Sequence, residues 1–485
     1  MKPYSPRTPI SQRSFYWYDL ETTGTNPKRD RIIQFAGQRT NEDLEPIGDP
    51  WTRFVKVPPE VLIKPDAALI TGLGPKVLKK EGIEEWELFR DLSEQFQQSR
   101  TCLIGFNNIS FDDEFLRYGM YRNLRSAYDH EWRSGNSRLD LLGIAQLTCA
   151  LRPEGINWPI ADGVPSFKLE ELANANALDA SEAHDALADV ELTLGLARAI
   201  KRAKPRLWEF ASSLRSRDTL RKYVSLSRFK PILHVSKNYS NKRFCIAPVL
   251  PIAEHPRNRN QIIVVDLLSD LNVVLENSAE EIRSALFAHR GERESEHPRP
   301  AIHTIALNRV PMVAPITMLG DKEAKRLDID KVAINSALAA ISACPSLPQK
   351  LREVYQSAPE YDKPAAAEEA LYERLVPDAD AEKCRKFWRN RARGTLWQDV
   401  EFSDSRLADL ADRLKTRMAH ELMSESEKRS YFSFVRDRLT QGEENLPAMR
   451  QKVQDLLSQN HEPPKKEVLT ELELHMKELA NHYGI

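Results

Sequence analysis

The chain has 485 residues, 41% hydrophobic and 29% charged, with a formal net charge of −1; that is the balance of a folded chain of roughly two to four domains, and it excludes a disordered or wholly polyanion-coating protein. No run of about 18 apolar residues occurs, which excludes a membrane-spanning helix, and the start MKPYSPRTPISQRSF has no apolar stretch behind its charges, so it reads as an unstructured lead-in and not a secretory signal. Five cysteines (Cys102, Cys149, Cys245, Cys344, Cys384) form no C-x-x-C pair, so neither a disulfide framework nor a structural zinc site is expected, and reduced thiols in a cytoplasmic protein are.

In chain order, residues 14–202 read as mixed α/β. Strand character, alternating or continuously apolar, marks SFYWYDL, RIIQFAGQRT, TRFVKV and TCLIGFN; helical periodicity follows at about 84–98, 112–124, 139–151 and 185–202. Strands followed by alternating helices predict a sheet with helices packed on it. At the end of the first strand, Asp19 and Glu21 stand two apart and so share a face. Two carboxylates side by side on a buried strand repel one another and resist desolvation, whereas a divalent cation reverses that sign. Taken alone, the pair reads more readily as one acid capping the Thr22-Thr23-Gly24 turn beside a solvated one.

The next acid, Asp112 in NNISFD, follows the apolar strand CLIGF, at the strand end where open α/β sheets place their ligands. It could also be the N-cap of the next helix. Third comes His184-Asp185-Ala186-Leu187-Ala188-Asp189. Positions i and i+5 of an ideal helix do not share a face, so His184 must lie at or before the helix start if Asp189 faces the sheet from within it. A core histidine is the alternative.

From about 205 to 355 the texture changes to short apolar runs, KPILHVS, RFCIAPVL, QIIVVDLL and AIHTIAL, between stretches rich in Pro and Asn. A small β-rich domain with a few helices is expected. Within it, residues 222–259 hold eight Lys/Arg against one acid, Glu254, and interleave Tyr223, Phe229, Tyr239 and Phe244. That composition suits a groove tracking a nucleic-acid backbone; a solvated surface is the alternative. SAPEYDKPAAA (357–367) reads as a linker, and 368–485 as several helices, with six basic residues and no acid between Lys383 and Arg393.

D-x-E, then N-x-x-x-F-D, then H-x-x-x-x-D, in that order, resembles the acidic DEDD exonuclease superfamily, histidine subtype. LITGL (69–73), GFNNISFDDEF (105–115), NSRLDLL (136–142), ALRPEGINWP (150–159), VPSFKLEEL (164–172) and AHDALADVELT (183–193) narrow it. They look like the exonuclease I family, single-strand-specific bacterial 3′→5′ exodeoxyribonucleases, and KPILHVS, APVLPIAEHPRNRNQIIVVDL and RNRARGTL extend the match along most of the chain.

The resemblance implies a ribonuclease H-like exonuclease domain (14–202), an SH3-like β-rich domain (203–356) and an all-α C-terminal domain (357–485). It further implies that Asp19, Glu21, Asp112 and Asp189 hold two Mg²⁺ ions (Mn²⁺ being possible), and that His184 activates water. Single-stranded DNA would be contacted by Glu21, by Lys168 where the family has Arg, and by Ile70, Arg117, Tyr128 and Trp132. Arg152 and Phe210 would meet the acidic C-terminal tail of single-stranded DNA-binding protein. A processive monomer serving DNA repair is expected. An exoribonuclease or proofreading exonuclease of the same superfamily is the rival enzyme, and an inert nucleic-acid-binding scaffold the rival outside catalysis.

Overall fold

The computed structural model describes residues 13–180, 185–288, 300–357, 364, 366–392, 400–459 and 462–485. The chain divides into two compact units, the first formed by Met1–Ser137, Ser181–Glu191 and Lys363–Ile485, the second by Arg138–Ala180 and Leu192–Asp362.

The first unit is built on a sheet in which β1 (Ser14–Thr22), β2 (Ile32–Thr40), β3 (Trp51–Phe54) and β4 (Thr101–Gly105) run in the order β3-β2-β1-β4. β1 is antiparallel to β2, with Phe15 opposite Thr40 and Glu21 opposite Gln34, and parallel to β4, with Ser14 opposite Thr101. Its aromatic run Phe15-Tyr16-Trp17-Tyr18 favours extended backbone, and every residue of β1 except Asp19 is buried. A strand covered on both faces reads as continuously apolar, which is how SFYWYDL reads.

Between β3 and β4 the chain crosses through α1 (Glu85–Phe96), whose start is fixed by a reciprocal capping box between Glu84 and Glu87. Leu88, Phe89, Leu92 and Phe96 recur at helical spacing and bury against Tyr16, Tyr18, Leu20, Phe35 and Leu103 of the sheet. α2 (Asp112–Arg122) adds Phe115, Leu116 and Met120 to that core. The C-terminal segment supplies helices Ser405–Met418, Glu425–Thr440, Leu446–Leu457 and Pro463–Tyr483. Ile33, Ile63, Ala68 and Leu78 pack with Val435, Leu439, Leu446, Leu469 and Leu472, and Tyr118 and Tyr121 with Phe387, Leu407 and Leu410. The helical expectation for 368–485 therefore holds, and these helices share cores with the first strands.

In the second unit, β5 (Ile232–Val235), β6 (Ile246–Glu254), β7 (Gln261–Asp266), β8 (Ile302–Ala306) and β9 (Val313–Pro315) form an antiparallel sheet ordered β8-β7-β6-β5-β9. The four apolar runs read from the sequence are four of these strands. The reading of 222–259 changes at two of its four rings. Tyr239 and Phe244 are buried, Tyr239 bonding His234 Nδ1 through its hydroxyl at 3.0 Å, so neither ring is open to a base. Arg243 is held by Asp266 at 2.6 Å, and of the four interleaved rings Phe229 alone is exposed. The basic run at 383–393 also has partners just upstream. Lys383 pairs with Asp380 at 2.9 Å, and Arg385 and Arg389 both pair with Glu382 at 2.6 and 2.5 Å. The acids that pair with Arg243, Lys383, Arg385 and Arg389 lie outside the two basic runs.

All five cysteines are free thiols, four of them buried. Among the described residues no helix is long and apolar enough to cross a membrane.

Candidate metal centre

β1 turns one face to the core through Leu20 and the other, through Asp19 and Glu21, to a pocket of acids. Carboxylate oxygens of Asp19, Glu21 and Asp189 all lie within 4.8 Å of one another. Asp189 reaches them from α3 (Ala186–Ala203), in whose first turn it sits.

The start of α3 is set by Asp185. Its Oδ1 accepts from the backbone N–H of Leu187 at 3.0 Å and Ala188 at 3.3 Å, and its carbonyl accepts from Asp189 N–H at 3.0 Å. This is an N-cap, which satisfies amides the helix cannot pair internally. The other oxygen, Oδ2, accepts from Gln34 Nε2 at 2.7 Å, and Gln34 Oε1 accepts from Ala186 N–H at 3.4 Å. Gln34 stands on β2 directly opposite Glu21.

Asp112 enters from the turn after β4. Asn107 has φ +63°, a left-handed value that asparagine tolerates, and Asp113 N–H donates to the Asn108 carbonyl at 2.9 Å. Gly105 ends the strand where a Cβ would lie 2.8 Å from the Tyr18 carbonyl oxygen and 2.9 Å from Asn108 Cβ, so a larger residue would push that turn away from β1. The Tyr18 hydroxyl donates to Asp113 and accepts from Asn108 Nδ2, the latter at 3.2 Å. Asp112 takes the first helical position, the N-cap position being Phe111. The cap alternative for Asp112 is thus not realised.

The electrostatics carry the signature of like charges confined together. Burial, then Asp112, Asp189 and Glu21, holds Asp19 well above the usual carboxylate range. Glu21 is pushed up to about 8 by burial and by Asp189, Asp112 and Asp185. All four expected acids therefore act on one another, three of them with their oxygens gathered. The donor set is entirely carboxylate oxygen, the chemistry that suits hard divalent cations such as Mg²⁺ or Mn²⁺, and the mutual repulsion is what such a cation would relieve. His184 lies outside the described residues.

The other expected site residues fall in both units. In the first, Ile70 and Trp132 are 58% and 64% exposed. Arg117 is buried, its guanidinium bonded to Glu131 at 2.6 Å, Glu114 at 2.8 Å and the Tyr372 hydroxyl at 3.2 Å, and lying over the Tyr128 ring at 5.6 Å. Tyr128 packs at the edge of the core that Tyr118 and Phe387 share. In the second, Lys168 is 78% exposed and pairs with Glu171 at 3.1 Å. Arg152 pairs with Glu323 at 3.1 Å, and Phe210 meets Tyr223 edge-on at 5.6 Å.

Sequence reasoning missed Gln34, Asn108, Asp113 and Asp185. Gln34 carried a signal, being the one polar side chain in IIQFAG, and Asp185 stood beside His184 within the motif. Nothing local ties Tyr18 to Asp113, 95 residues on.

Three family models match successive stretches of the chain. Residues 16–197 match the Exonuclease family model, 215–357 the Exonuclease I SH3-like domain and 365–479 the Exonuclease I C-terminal domain. The chain is 33% identical over 458 residues to exodeoxyribonuclease I of Haemophilus influenzae, spanning 93% of this chain and 96% of that one. Among solved structures, the moderately thermophilic exonuclease I of Methylocaldum szegediense superposes with a TM-score of 0.90 at 36% identity, over 96% of this chain and 99% of the other. A zinc-bound form of the Escherichia coli exonuclease I complex with single-stranded DNA superposes with a TM-score of 0.92 at 30% identity, over 97% of this chain and 100% of the other.

Proposed function

The chain belongs to the exonuclease I family, and from that premise we propose that it hydrolyses single-stranded DNA from the 3′ end, releasing 5′-mononucleotides one after another. The observation that carries this reading is the gathering of Asp19, Glu21 and Asp189 oxygens within 4.8 Å, under the added repulsion of Asp112.

Asp19, Glu21, Asp112 and Asp189 would hold two divalent ions, Mg²⁺ in the first instance with Mn²⁺ as a substitute. When bound, such a pair stabilises the entering and departing oxygens of an in-line displacement at phosphorus. The carboxylates' part is to present hard oxygen donors from β1, α2 and α3 in one place. His184 takes the proton of the attacking water; an imidazole with an ordinary pKa of about 6.5 suits that exchange near neutral pH. The leaving group is the 3′-oxygen of the neighbouring sugar, so each product carries its phosphate on the 5′ side.

Lys168 supplies a point charge to a backbone phosphate without the forked contact an arginine makes. Ile70, Tyr128 and Trp132 line the path of the unpaired strand with Arg117, and Arg152 with Phe210 receives the acidic tail of single-stranded DNA-binding protein. Three domains, 14–202, 203–356 and 357–485, a monomeric state, a cytoplasmic setting and processive action on DNA awaiting repair complete the reading. The test is digestion of 3′-labelled single-stranded DNA, duplex DNA and RNA, with and without Mg²⁺. Release of mononucleotides from single-stranded DNA in Mg²⁺ alone is expected; faster digestion of RNA would overturn the substrate, and undiminished cleavage in chelator would overturn the mechanism.

A further inference from the structure

A metal ligand on a helix is only as well placed as the helix start. Asp189 lies one turn into α3, and the first turn of α3 hangs on Asp185. Asp185 in turn is tied to the sheet through Gln34, whose amide donates to Oδ2 at 2.7 Å while its carbonyl accepts from Ala186 N–H. Gln34 is 1% exposed and sits in the register position facing Glu21. Side chains directly opposite on antiparallel strands stand about 4.5–5.5 Å apart at Cβ. One cross-strand pair thus presents a metal-ligating carboxylate from β1 and, from β2, the group that fixes where the next carboxylate arrives.

We propose that Gln34 is a positioning residue for the divalent-cation site, acting through Asp185 to set the first turn of α3 and with it Asp189. The inference rests on the acidic cluster being a divalent-cation site. With an acid already at position 185, a neutral amide suits position 34 better than a second acid or a base. Glu21 is already raised by Asp189, Asp112 and Asp185, so a further anion at position 34 would add repulsion, and a cation would compete with the metal for the same oxygens. The amide gives Asp185 a donor and Ala186 an acceptor without altering the charge count. Partners of this kind behind metal ligands typically change metal affinity or activity about 10–100-fold when removed.

The test is Mn²⁺ binding to the full chain without DNA, followed by calorimetry or by the loss of the free-ion paramagnetic resonance signal, with thermal unfolding in chelator measured alongside. Gln34→Leu keeps the charge and approximate volume but removes both hydrogen bonds; its Mn²⁺ affinity should fall about tenfold. The Gln34→Glu/Asp185→Asn double variant reverses donor and acceptor at unchanged net charge, leaves an oxygen on residue 185 to cap α3, and should return Mn²⁺ affinity to within about twofold of the parent. Gln34→Leu that unfolds earlier but binds Mn²⁺ as the parent does would overturn the proposal, leaving Gln34 a fold-stabilising residue. A double variant as weak as Gln34→Leu would also overturn it. A parent chain that binds no Mn²⁺ would overturn this inference together with the metal reading, an outcome distinct from either of the others.

Discussion

Arg31 and Glu368 pair at 2.8 Å although 337 residues separate them, and both side chains are almost sealed from solvent. Arg438 joins Glu368 at 2.9 Å, and Arg122 joins Glu85 at 2.9 Å beside Arg31. Charges so deeply buried persist only while each has its partner, and removing one leaves the other stranded, at a cost of about 3–5 kcal/mol. Glu368→Gln should therefore lower the unfolding free energy of the first unit by that order, read as a lower urea midpoint at unchanged slope. An unchanged midpoint would mean that the ionic network contributes nothing to holding the C-terminal helices.

The same network sets an acid limit. Burial pushes Glu368 up, but Arg31, Arg438, Arg417 and Arg122 together pull it down to about 2, and Glu85 is likewise brought to about 2 against its own burial by Arg122, Arg31 and Arg417. Both folded values lie below the ordinary 4.5. Their stabilising contribution is thus complete above about pH 4.5 and is lost as pH falls toward 2. Stability measured across that window should drop, and the drop should be smaller in Glu368→Gln; an identical acid profile would contradict the assignment.

Glu21 acts in the opposite sense. With its folded pKa at about 8 against an ordinary 4.5, the folded metal-free chain binds a proton the unfolded chain has released, so stability falls as pH rises from about 4.5 through 8. A divalent ion displaces that proton, and its binding should tighten with rising pH and release protons. In chelator, the thermal midpoint should therefore be lower at pH 8.5 than at pH 6, and Mg²⁺ should raise it more at the higher pH. Asp189→Asn should flatten the dependence.

Asp19→Ala should reduce cleavage of single-stranded DNA at least about 100-fold while leaving oligonucleotide binding within a few-fold, because the strand is held elsewhere and only the metal chemistry is removed. Single-turnover digestion together with fluorescence anisotropy separates the two. Retained cleavage would remove Asp19 from the metal set.

Trp132 and Arg117 should part company on mutation. Trp132 is 64% exposed, so Trp132→Ala should leave the melting temperature unchanged and weaken oligonucleotide binding by about 1–3 kcal/mol, the contribution of one stacked base. Arg117 already holds Glu131 and Glu114, so Arg117→Ala should lower stability whatever it does to binding. A Trp132→Ala chain that melts early but binds normally would place that ring in packing and not in recognition.

What the sequence determined by itself was whatever obeys a short-range rule. Two-residue alternation put Asp19 and Glu21 on one face, the aromatic run marked β1 as a covered strand, and helical spacing located α1, α2 and α3 to within a few residues. The order of the three acidic motifs then named a chemistry, since few other reasons bring those residue types to those strand and helix ends. The tertiary structure alone decided every alternative whose answer lies far along the chain. Asp112 proved to start its helix instead of capping it. Tyr239 and Phe244 turned inward, and Asp266, Asp380 and Glu382, outside the basic runs, paired with Arg243, Lys383, Arg385 and Arg389. Gln34 found Asp185 at a separation of 151 residues, and Arg31 found Glu368 at 337. Periodicity reports which way a side chain points from its own element, but a hydrogen bond or ion pair depends on what another element brings to the same place. That meeting is fixed by packing, which leaves no local trace in the order of residues.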